Sequence, residues 1–169
     1  LLNGGVCWWH SRFTRNAVHL AVFSPSKERP SIEDTQKIIR AIRKGDNVVE
    51  VPGYRDLSSF SYSNANLIQS ELEKWQIIDG VVNQQWIVGL WGGTSKSPEK
   101  LKRWMDDLYD YVVTQDNIGY QKIQIKGIDA HAWLIYDMKK TADGYDLKVI
   151  DSNSSYSRTI SYYFDSTTI

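Results

Sequence analysis

Among the residues able to act as nucleophile or base near neutral pH, this chain has one cysteine, Cys7, and three histidines, His10, His19 and His131. A thiol becomes a nucleophile when it ionises, and a histidine within hydrogen-bond reach is its commonest base. A lone cysteine is more often a small buried hydrophobe, but the surroundings of Cys7 argue for more. Asn3-Gly4-Gly5-Val6 leads into Phe13, Ala17, Leu20 and Ala21 at helical spacing, so the thiol is expected at the N-terminus of a helix running from Cys7 to Phe23. The aligned peptide dipoles and free N–H groups there favour a thiolate, which predicts a Cys7 pKa below its usual value. The Cys7 N–H also faces the space where an oxyanion would form.

His10 and His19 share that helix and have no orienting carboxylate close in sequence. They read as structural or solvated, with His10 at most tuning the site. His131 stands between Ala130 and Ala132, small neighbours that leave its ring accessible. Reading Lys139 to Asp143 as a five-residue hairpin loop pairs Met138 with Gly144, Ile135 with Leu147, Trp133 with Val149 and His131 with Asp151. Directly opposed residues carry Cβ atoms about 4.5–5.5 Å apart, so the Asp151 carboxylate would orient the imidazole. A tighter turn at Asp143-Gly144 would set Trp133 against Ser154 and Ile135 against Ser152, which wastes an apolar face. Asn153 is a second candidate for the orienting role, and Asp151 also fits a plain strand-end turn.

The elements that must hold these residues follow from periodicity. A second helix is capped by Ser31 and stopped by Gly45; a third runs from about Asn64 to Ile78 with Gly80 as terminator; a fourth opens at Ser97-Pro98. From Tyr120 the period becomes two, giving strands around Ile123 and Ile125, Ala130 to Met138, Tyr145 to Asp151 and Thr159 to Phe164. Helices followed by an antiparallel sheet predict an α+β fold rather than alternating βαβ units. We expect residues 1–169 to form a single domain, mainly helical over 1–118 and mainly antiparallel sheet over 119–169.

Twenty basic residues balance twenty acidic ones, which removes the electrostatic case for nucleic acid as a partner. No apolar run approaches the roughly 18 residues of a membrane span. One cysteine excludes an internal disulfide, so the fold must rest on its core. The chain begins at Leu1, inside what reads as an active-site loop, and residues upstream are expected.

The run Gly5-Val6-Cys7-Trp8, with a histidine and then an aspartate far downstream on strands, resembles papain-like cysteine peptidases. The resemblance implies a papain-like fold, a Cys7-His131-Asp151 triad, a peptide or protein substrate, and neither metal nor cofactor. Aspartate as third member and the compact size are similar to the bacteriocin-processing or staphopain type. That likeness implies a secreted or cell-envelope bacterial protein, monomeric, whose cleft a propeptide or inhibitor could mask. The family's oxyanion glutamine precedes the cysteine by six residues; Leu1 holds that position here, and Asn3 is the candidate in its place. Gly92-Gly93 after Trp91 is a candidate wall for the substrate backbone, against the plainer reading of a turn. Trp8 and Trp133 adjoin the catalytic candidates and would shield them from water. The same triad would serve an amidase, a deamidase or an acyltransferase, and a catalytically silent relative would keep the cleft as a binding surface.

Overall fold

The computed structural model describes residues 6–83, 96–126, 129–152, 154 and 156–167. Helices come first: α1 (Cys7–Leu20), α2 (Ile32–Lys44), α3 (Leu57–Ser63), α4 (Ala65–Ile77) and α5 (Pro98–Tyr109). Four antiparallel strands follow in the order β3-β4-β5-β6, with β1 and β2 forming a separate parallel pair. These strands are β1 (Ala21–Ser24), β2 (Val49–Pro52), β3 (Gly119–Lys126), β4 (Asp129–Lys140), β5 (Gly144–Asp151) and β6 (Ser157–Tyr163). The expected α+β order is present. The sequence reading did not anticipate β1 and β2. Residues expected to close the first helix instead leave it at Ala21, because Val22 and Phe23 gain backbone partners in Glu50 and Val51.

Helix boundaries follow local chemistry. The Ser31 side chain accepts the Asp34 N–H, and Gly45 closes α2 in the left-handed region at φ 75°. Asn16 of α1 completes that end by donating to the carbonyls of Ile42 and Arg43. Ser97 caps α5 through the Lys100 N–H, with Pro98 in the first turn. The predicted stop at Gly80 does not occur: α4 passes into a π-helical turn, Ile78–Val82, and α5 likewise into Asp110–Thr114.

Two apolar cores form. Phe13 and Ala17 of α1 pack with Ile39 and Ile42 of α2, Val51, Phe60 and Leu72. Leu101 and Met105 of α5 pack with Ile135, Leu147, Val149 and Tyr162 on one face of the sheet. Trp104 of the same helix is exposed, while Leu101 and Met105 fill the face turned to the sheet. A third, smaller cluster joins Cys7 and Trp8 to Ala132, with Tyr120 against it. The nucleophile candidate therefore sits where α1 meets the sheet.

Gln76 is anomalous in the helical core. It is 2% exposed, and neither atom of its side-chain amide has a hydrogen-bond partner among the described residues. A buried amide without partners costs more than an apolar side chain of similar size. Gln76→Leu is accordingly expected to stabilise the protein by about 1 kcal/mol. The check is a higher urea midpoint at unchanged slope; a lower midpoint would show that Gln76 is satisfied in solution.

Candidate active site

Cys7 is the first residue of α1, and its own sequence brings it there: Val6 precedes it as N-cap with no side-chain cap, and the first helical bond runs from the His10 N–H to the Val6 carbonyl. The unsatisfied N–H groups of the first turn therefore surround the thiol. Backbone N–H groups of Ala132, Trp8 and Cys7 itself are directed at the sulfur and favour its anion. Their effect is smaller than that of burial. The thiol is buried against Trp8 and Ala132, and desolvation pushes its pKa up from the usual value. The position at a helix start alone predicts a lowered pKa, and the structure reverses that sign: the dipole and the N–H groups are present, but withdrawal from water outweighs them. The nearby Asp151 charge adds to the rise.

The Ala132 N–H belongs to the peptide that joins it to His131, so the sulfur is tied to the backbone of the strand that carries the candidate base. Ser11, one turn into α1, donates its hydroxyl to the Ala132 carbonyl at 3.2 Å. These two bonds clamp the start of α1 onto the middle strand.

His131 Nε2 lies 2.8 Å from Asp151 Oδ1, with both side chains almost buried. The pair forms as expected, but through a different register. Trp133, not His131, stands opposite Asp151; Ile135 faces Val149, and a bulge between Ile135 and Asp137 carries the ladder on to Met138 opposite Leu147. The hairpin closes with Lys140 opposite Tyr145, so its loop is shorter than the five residues expected. His131 consequently reaches Asp151 diagonally. The shift near His131 is two residues, and side-chain period is also two, so the faces are unchanged and the imidazole and carboxylate still meet. With Nε2 engaged by the carboxylate, Nδ1 is the nitrogen left to take a proton from a thiol.

Two groups support this pair. The Trp133 ring stands edge-on to His131 with centroids 6.0 Å apart, and its Nε1–H donates to Gln121 at 2.7 Å, which fixes the indole over the site. Arg158 on β6 places a guanidinium nitrogen 3.7 Å from Asp151 Oδ2. Sequence reading missed Ser11, Gln121 and Arg158. Gln121 and Arg158 lie on strands whose partners only the sheet order reveals.

His10 and His19 stand apart from this constellation in their hydrogen bonding. His10 Nε2 meets Gln69 at 2.9 Å and ties α1 to α4, while His19 is exposed in the last turn of α1. Asn3, Trp91, Gly92, Gly93 and Asn153 lie outside the described residues. No family model, curated protein or solved structure matches this chain. The site must be read from its own chemistry.

That chemistry is a thiol at a helix start, a histidine held by a carboxylate, and backbone N–H groups converging on the sulfur. No group of three or more potential metal ligands occurs among the described residues. No helix of the described residues is long and apolar enough to cross a membrane.

Proposed function

We propose that the chain is a papain-like cysteine peptidase, with Cys7 as nucleophile, His131 as general base and Asp151 as the group that orients the imidazole. The observation that carries this reading is the 2.8 Å contact between Asp151 and His131, the chain neighbour of Ala132, whose backbone N–H is directed at the Cys7 sulfur at the head of α1.

In this mechanism His131 Nδ1 accepts the Cys7 proton as the sulfur attacks the carbonyl carbon of the peptide. The C=O electron pair moves to oxygen, where the Cys7 N–H stabilises the oxyanion. As the intermediate collapses, the imidazolium gives its proton to the leaving amine and a thioester remains on Cys7. Water, deprotonated by His131, then attacks the thioester, and the carboxylic acid leaves as the thiol is restored. Asp151 offsets the imidazolium charge throughout without itself being protonated. Because burial holds the proton on the resting thiol, the base must remove it during attack.

The test is the rate of Cys7 alkylation by iodoacetamide across pH, in the wild type and in His131→Ala. In the variant, labelling is expected to climb only above the usual thiol range, since burial keeps the proton on the thiol through that range. In the wild type His131 takes the proton, so labelling at pH 7 is expected to be at least about 10-fold faster. Equal rates at pH 7 in the two folded proteins would sink the triad.

A further inference from the structure

Beside the thiol lies a cavity of about 330 Å³ lined by Trp8, Trp9, Arg12, Asp79, Tyr120 and Lys122. It adjoins the proposed nucleophile by two routes. Trp8 follows Cys7 in the chain and shares its cluster with Ala132 and Tyr120. Lys122 pairs across the sheet with Ala132, and the next residue, Ile123, pairs with His131. A substrate whose carbonyl is held at Cys7 would therefore lay a neighbouring group into this space.

The lining says which group. The Lys122 ammonium lies 3.2 Å from the Trp8 ring centroid, and the Arg12 guanidinium 4.2 Å from that of Trp9. The tryptophan faces are thus already covered by the protein's own cations and do not form an empty aromatic cage for a cationic ligand. Two cations stand against one carboxylate, Asp79, which itself accepts the Asn83 side-chain amide at 2.8 Å. Among the described residues neither Arg12 nor Lys122 makes an ion pair. The uncompensated charge of the cavity is positive.

We propose that this cavity is a specificity pocket for a carboxylate carried by the peptide substrate near the scissile bond, with Lys122 and Arg12 as the recognising cations. The proposal rests on the peptidase reading above and names its substrate class. An acidic side chain and a peptide C-terminus present the same chemistry to it. Tyr120 supports the assignment: burial pushes its hydroxyl up to about 12, so the phenol stays neutral and remains a donor to an anion. Lys122 supports it too: its side chain is exposed overall, but partial desolvation lowers its pKa, and a bound carboxylate would offset that loss of solvation.

Titration calorimetry on the Cys7→Ala protein separates the pocket from the chemistry. Four versions of one short peptide are used, with Glu or Gln at the central position and a free or amidated C-terminus. The expected result is that at least one carboxylate-bearing version binds about 10-fold more tightly than the amidated Gln peptide, a gap of about 1.4 kcal/mol. The gap is expected to close in Lys122→Gln, to narrow in Arg12→Gln, both exposed positions, and to narrow in about 0.5 M salt. Preference for the amidated Glu peptide assigns the pocket to an acidic side chain; preference for the free-acid Gln peptide assigns it to the chain end. Equal affinity for all four peptides overturns the proposal, and so does a preference that survives both substitutions. Tight, selective binding with no cleavage by the wild type would leave the pocket and remove the peptidase reading. Cleavage without selectivity would do the reverse.

Discussion

Cys7→Ala is expected to abolish peptide turnover, and His131→Ala to lower kcat/KM by about 10²–10⁴-fold, with both proteins folded. The two losses should not add, because thiol and imidazole act as one unit: without the sulfur there is no proton for the base to take. Asp151→Asn is expected to cost less. An amide oxygen at the position of Oδ1 still accepts from Nε2 and keeps Nδ1 toward the thiol, although it no longer offsets the imidazolium charge. Steady-state kinetics on a fluorogenic peptide, with circular dichroism to confirm folding, checks all three. Loss in Asp151→Asn as complete as in Cys7→Ala would assign the carboxylate more than orientation. Unchanged turnover in Cys7→Ala would end the peptidase reading.

The largest effect on stability is expected at Glu71→Ala, a position away from the thiol. Arg43 is buried between α2 and α4, its guanidinium 3.8 Å from the Trp75 ring centroid and 5.5 Å from that of Trp9. Its Nε–H donates to Glu71 at 2.8 Å, and the same Glu71 oxygen accepts the Trp75 indole N–H at 3.1 Å. Removing the carboxylate leaves a buried guanidinium charge and an indole N–H without their acceptor. Such a break costs about 3–5 kcal/mol, a large part of a domain's usual 5–15 kcal/mol. Glu71→Gln retains an acceptor and should cost clearly less. Urea denaturation of the three proteins decides it: a loss below about 1 kcal/mol in Glu71→Ala would mean the pair is solvated and relaxed rather than buried. Because Arg43 also covers Trp9, which lines the cavity, the substitution is expected to loosen that wall as well.

Much of the candidate site was legible along the chain. Cys7 follows a glycine-rich approach and heads an apolar-periodic stretch, which is a local signal. His131 and Asp151 were assigned to adjacent strands from alternation alone. Their exact pairing was not legible, because the turn length and the bulge after Ile135 depend on how tightly Tyr145 and Leu147 pack beneath α5. The contact survived that error only because a two-residue slip preserves the face.

By itself the sequence determined that helices precede an antiparallel sheet, the helix caps at Ser31, Gly45 and Ser97, and which residues could carry thiol chemistry. These depend on side-chain type and on spacings of a few residues. Only the tertiary structure decided the state of the thiol and its surroundings. Proton affinity depends on how much water is removed and on which N–H groups arrive from a distant strand, and Ala132 supplies one that no local pattern announces. The same holds for the cavity beside it, where α1, β3 and the π-helical end of α4 bring Arg12, Lys122 and Asp79 together. Charges far apart in sequence acquire a common meaning only when folding gives them a shared, partly desolvated space.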